Sequence, residues 1–181
     1  MKNIFIFILL LLTSCKSDDL NLSFFNKTQK EILKKILKEN DSIFSLKNNL
    51  SISDKYFEHT KKLDNSESPN ELLDNLFIKD ISFCESLHKS NIFNLNKSKV
   101  YNSEREASSY YLNIQSNYLK YLEEYSKKNS TILKYYNSLI SSGGISPAST
   151  KIILHFLTKK DLENENIRLI VGIHFLLVNN S

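Results

Sequence analysis

Glycine occurs three times in this 181-residue chain, proline twice, cysteine twice and tryptophan never. So few glycines and prolines leave little material for tight turns, which argues against a strand-rich architecture and for long uninterrupted segments. Three glycines also make a phosphate-cradling loop hard to build, and no P-loop, dinucleotide-binding glycine pattern or G-x-S-x-G is present. Arginine is nearly absent, Arg105 and Arg168 being the only two. The planar forks that favour phosphate and base recognition are therefore missing, and a net charge of +4 is too small to imply nucleic acid. The four histidines, His59, His88, His155 and His174, are widely separated, with no H-x-x-x-H or H-E-x-x-H spacing. No metal and no cofactor are expected. His174 lies in the most apolar stretch of the chain and reads as a satisfied core residue rather than a ligand.

What is present begins at the N-terminus. Lys2 supplies a positive charge, Ile4 to Leu12 an apolar run, and Thr13-Ser14 two small residues, the order of a secretory signal. As a helix, nine apolar residues span only about 14 Å, roughly half the hydrocarbon core of a bilayer, so a permanent membrane span is disfavoured. The junction Leu12-Thr13-Ser14-Cys15 resembles the lipobox of bacterial lipoproteins. That resemblance implies a diacylglycerol on the Cys15 thiol, removal of residues 1–14, and acylation of the new amino terminus, palmitate being one such chain. Two or three acyl chains on one residue meet the requirement for stable anchoring. The membrane thus becomes a partner through the acyl chains on Cys15, and the location becomes the bacterial cell envelope. Lys16-Ser17-Asp18-Asp19 is a short form of the acidic run that resembles a surface-export signal in some Gram-negative lineages. It places the expectation on the outer membrane and surface display, with periplasmic retention as the alternative. With Cys15 lipidated no intramolecular disulfide can form. Cys84, within Ile81-Ser82-Phe83-Cys84, is expected to be a buried inert thiol.

Loss of residues 1–14 leaves 167 residues, enough for one domain of ordinary size. Residues 15–26 read as the lipidated cysteine and a short polar tether interrupted by Phe24-Phe25; residues 27–181 read as the helical domain. The first helix is expected from about Asn26 to Asn49, with Ile32, Leu33, Ile36, Leu37, Ile43 and Phe44 on one buried stripe. Lysines 27, 30, 34, 35 and 38 of the same segment cluster close to the anchor. Contact with anionic headgroups competes here with a solvated face; since Glu31 and Glu39 interleave, the solvated face is the expectation. Ser53 or Asp54 opens a shorter helix, followed by a loop over Asp64–Ser68. Ser68-Pro69-Asn70-Glu71 is a capping box with proline at the first helical position, opening a helix that ends near Lys89. Ser90–Asn102 reads as a loop. Ser103-Glu104-Arg105-Glu106 reads as a second capping box, with a helix running on to about Lys127. Another helix is expected from Ser130 to Ser142, stopped by Gly143-Gly144, and another from Ser146-Pro147. Asn164 leads into a last helix over Ile167–Val178, apolar almost all round and so expected to be the central buried one. The fold class is all-α, a single domain of about five to seven helices.

Eight of the nine tyrosines lie between residues 101 and 136. Tyr111, Tyr118 and Tyr125 recur every seven residues with Tyr121 beside them, so a continuous helix would put them on one face. Such a face suits recognition, because tyrosine joins a large apolar body to a polar tip. The competing reading is a helix using tyrosine at the core boundary. Glu104, Glu106 and Glu123-Glu124 fit capping and solvation better than acid–base chemistry, since charges near a helix start are favourable and adjacent residues point apart. The expectation is therefore a non-enzymatic, membrane-anchored lipoprotein that binds another protein at the envelope through Tyr111, Tyr118, Tyr121 and Tyr125. The alternative is a lipoprotein holding an apolar small molecule or glycan between its helices.

Overall fold

The computed structural model describes residues 20–45, 50–66, 81–92, 94–99, 106–111 and 115–179. The lipobox, the acidic pair after it and the Ser68–Glu71 capping box lie outside the described residues. Eight helices are present among them: α1 (Lys27–Ser45), α2 (Ile52–Asp64), α3 (Ile81–Lys89), α4 (Asn117–Ser126), α5 (Ser130–Ser142), α6 (Pro147–Phe156), the single turn α7 (Lys159–Leu162) and α8 (Glu165–Val178). The domain is all-α in its architecture.

Local chemistry accounts for most helix starts and for one clear stop. Asn26 caps α1 reciprocally: its Oδ1 accepts from the Gln29 N–H and its own N–H donates to Gln29 Oε1, each at 2.9 Å. Ser51 opens α2 by accepting from the Asp54 N–H. Gly143 ends α5 with φ +70°, a left-handed conformation that glycine adopts without Cβ strain. Ser146 and Ser149 cap α6 reciprocally with Pro147 at its first position, and Asn164 caps α8. The expected starts at Ser146-Pro147 and Asn164, and the stop at Gly143, coincide with these ends.

Helix α8 is the axis of the core. Every residue from Asn166 to Leu177 is buried, so all faces of the helix are covered. Helix α1 packs against it with Leu33, Ile36, Leu37 and Phe44 inward. Close approach requires a glycine at this crossing. A Cβ built on Gly172 would press into the Asn40 side-chain amide, with Asn40 Cγ at 3.2 Å. Helices α4, α5 and α6 pack in succession, each against the next, while α2 packs against α1, α6 and α7.

The structure corrects three expectations. First, residues 106–111 are not helical. They form strand β2 (Glu106–Tyr111), paired antiparallel with β1 (Asn94–Lys99) in the register Asn94↔Tyr111 to Lys99↔Glu106. The helix expected from Ser103 begins only at Asn117, capped by Ser116, which accepts from the Leu119 N–H. Ser108 and Ser109 compete with helical hydrogen bonding, and Tyr110-Tyr111 favours a pleated backbone, so the three-residue spacing from Ser103 to Glu106 was too weak a signal. Second, the segment expected as a loop from Ser90 includes β1 for the same reason of pairing. Third, residues 20–26 are not free tether. Leu22 and Phe25 are buried, and the Asn21 N–H donates to Asn166 Oδ1 at 2.8 Å. Two apolar side chains of this size each gain roughly 1.5–3 kcal/mol on burial, enough to dock a short segment.

Candidate functional site

The four tyrosines expected on one helix face do not belong to one helix, and two of them are buried. Tyr111 ends β2, whereas Tyr118, Tyr121 and Tyr125 belong to α4. Tyr118 and Tyr121 are fully buried and Tyr125 is half-buried. The Tyr121 ring lies 5.5 Å from Phe25 and 5.0 Å from Tyr125, and its hydroxyl donates to Asn166 Oδ1 at 3.1 Å. The same Asn166 oxygen accepts from Asn21, so one buried amide ties the N-terminal segment, α4 and α8 together. Burial lifts the pKa of both Tyr118 and Tyr121 well above the ordinary phenol range. These two side chains are core and offer no surface to a partner.

Tyr135 of α5 and His174 of α8 form a second buried unit. The Tyr135 hydroxyl lies 3.1 Å from His174 Nδ1, and His174 Nε2 lies 3.1 Å from Thr150 Oγ1. The Thr150 hydroxyl donates its proton to the Ser146 carbonyl at 3.2 Å, so it accepts from His174. His174 is thereby the Nε2–H tautomer, and Tyr135 donates to Nδ1. Burial holds the imidazole neutral, its pKa lowered to about 3. The core reading of His174 from sequence agrees with this placement.

Several further polar groups hold helices together. Arg168, buried on α8, donates through Nε to Asp41 Oδ1 at 3.2 Å and through Nη2 to Asp41 Oδ2 at 3.3 Å. Its Nη1 donates to the Leu162 and Glu163 carbonyls, satisfying the end of α7. Tyr56 donates to the same Asp41. Sequence reasoning missed this pair, because its members are 127 positions apart; the scarcity of arginine was the one signal that Arg168 had a particular place. His155 is exposed and pairs through Nδ1 with Asp64 Oδ2 at 3.0 Å, while Lys61 donates to the Leu154 and His155 carbonyls at the end of α6. Glu124 pairs with Lys127 at 2.9 Å; Glu106, expected in a helix cap, sits in β2, and Glu104 lies outside the described residues. Cys84 falls within α3, its side chain outside the description, as does Cys15 altogether.

Two surfaces remain distinctive. On α5 and α6, Leu133, Ile140 and Phe156 are each 43 % exposed, with Lys134 Nζ 4.1 Å from the Phe156 ring centroid. On α1, Lys27, Lys34, Lys35 and Lys38 point outward with Glu31 and Glu39, and Lys30 is half-buried at their edge. Among the described residues no three His, Cys, Asp or Glu side chains are grouped to hold a metal ion, and no helix is long and apolar enough to cross a membrane. Comparison with family models, with curated proteins and with solved structures finds no match to this chain.

Proposed function

We propose that this chain is a lipid-anchored, non-enzymatic binding module of the bacterial cell envelope, held by acyl chains on Cys15 and presenting its helical domain to a protein partner. The junction Leu12-Thr13-Ser14-Cys15 behind a short apolar run carries the reading. The described histidines and carboxylates support the non-enzymatic part: His174 fills a buried polar chain, His155 pairs with Asp64, and Asp41 with Arg168. Outer-membrane anchoring with surface display belongs to the same proposal, on the strength of Asp18-Asp19.

The partner surface in this reading moves from the buried tyrosines to the exposed apolar side chains Leu133, Ile140 and Phe156. Metabolic labelling with an alkyne palmitate tests the anchor. The native chain should take up label and Cys15→Ala should not; an unlabelled native chain removes the anchor. A photoreactive residue at position 133 or 140 should crosslink one envelope protein in cells. Equal crosslinking from exposed Lys62 on α2 would show that the α5 surface is not selective.

A further inference from the structure

The outer face of α1 carries a charge pattern that the fold does not use. With 3.6 residues per turn, Lys27, Lys30, Lys34 and Lys38 fall within an arc of about 80°. None of these four makes an ion pair among the described residues. Lysines on other helices do: Lys89 with Glu85 at 3.5 Å, Lys127 with Glu124 at 2.9 Å, and Lys159 with Asp54 at 2.5 Å. Lys30, Lys34 and Lys38 succeed one another every four residues, a spacing at which like charges repel. Lys27 stands in the first turn, at the positive end of the helix dipole, and no acidic residue occupies that turn. Glu31 stands beside the row, four residues from Lys27 and three from Lys34, and offsets part of this repulsion. The four lysines still outnumber it, and that surplus of positive charge points to a role outside the fold.

Its place in the molecule identifies the ligand. Leu22, Phe25 and the Asn21–Asn166 hydrogen bond fix residues 20–26 against the domain, so the start of α1 is held close to Leu20. Five residue steps separate Leu20 from Cys15, at most about 18 Å of extended chain. Helix α1 itself is about 28 Å long. We propose that Lys27, Lys30, Lys34 and Lys38 form a docking face for the anionic phospholipid headgroups of the membrane that holds the anchor, laying α1 along its surface. Lysine suits such contacts, because a point charge on a flexible stem meets phosphates of no fixed geometry. The inference takes its geometry from the anchored reading, but the row is tested without the lipid.

The chain from residue 15 onward with Cys15→Ser contains every described contact, since these begin at Leu20. It should sediment with vesicles containing about one third phosphatidylglycerol, not with phosphatidylcholine alone, and should be released by high salt. Each lysine near an anionic surface adds about fivefold to partition, so Lys27, Lys30, Lys34 and Lys38 changed together to Gln should lower it more than tenfold. Helix content should be kept, and the melting temperature should not fall, since the row opposes its own helix. Lys62, Lys128, Lys151 and Lys160 changed to Gln give the same net charge and should alter partition no more than about twofold. Equal losses in the two variants, or equal binding to both vesicle types, overturn the proposal. Salt-sensitive capture by polyglutamate beads without vesicle binding does so as well, and assigns the row to an acidic protein. Palmitate labelling reports separately: a labelled native chain whose unlipidated form ignores anionic vesicles loses only this inference.

Discussion

The interior around α8 and the outer face of α1 treat charge in opposite ways. Inside, Arg168 is matched by the carboxylate of Asp41 on a helix far away in sequence, and His174 has a hydroxyl partner on each ring nitrogen. Outside, four lysines share one arc of a helix with no ion-pair partner among the described residues. The contrast teaches where to look for function. Polar groups that are fully satisfied within the fold explain the fold; polar groups whose arrangement works against their own helix ask for something outside it.

The comparison breaks most visibly if the interior pairs are not structural. Asp41→Ala leaves buried Arg168 with only the exposed Glu165 carboxylate at 3.9 Å and should cost about 3 kcal/mol in denaturant unfolding. Replacing both residues with apolar ones of similar size should recover much of that loss, because the uncompensated charge is gone. A single Asp41→Ala variant of native stability would remove the interior side of the contrast.

A second test is the pH dependence set by His174. Its folded pKa is lowered from 6.5 to about 3, so between these values the unfolded chain binds the proton and the folded one does not. Stability from this group is therefore complete above pH 6.5 and declines as pH falls toward 3, on the order of 1 kcal/mol per pH unit. His174→Gln should flatten that slope between pH 4 and 6 in melting experiments, although it also lowers stability throughout.

Gly172 gives a smaller effect with an instructive sign. Alanine in place of glycine within a helix ordinarily gains about 1 kcal/mol. Here its Cβ would meet the buried Asn40 amide, and overpacking typically costs about 1–3 kcal/mol. Gly172→Ala should therefore be net destabilising, whereas Gly172→Ala combined with Asn40→Ala should be clearly more stable than Asn40→Ala alone with the Gly172 gap left unfilled.

These particular residues also show what was legible in the sequence. The ends at Gly143, Ser146-Pro147 and Asn164 were readable because each is decided within a few residues by capping chemistry. The burial of α8 was readable because its apolar residues leave no polar face. The candidate surface was not. The seven-residue tyrosine spacing assumed one helix from 103 to 127, and the chain instead pairs Tyr111 with Asn94 and starts its helix at Asn117. Periodicity places residues on a face only where the helix is continuous, and it does not say whether the face is turned inward. Arg168–Asp41 and Asn40–Gly172 depend on packing between α1 and α8, to which no local pattern refers.

The last test sets stability against binding, and it sharpens the outer side of the contrast. Lys27 lies in the first turn of α1, where a positive charge faces the positive end of the helix dipole. Lys27→Glu should therefore raise stability by about 0.3–1 kcal/mol at low salt, with the gain fading as salt is added. Were the lysine row no more than a solvated face, nothing would oppose that improvement, and a membrane-bound form of the variant would be as well docked as the native one. If the row meets anionic headgroups, the same substitution should make the isolated domain more stable and its vesicle partition weaker. Opposite signs in two measurements on one variant are what a charge kept for a surface outside the fold requires; raised stability with vesicle partition unchanged or strengthened would make the lysines ordinary solvated side chains.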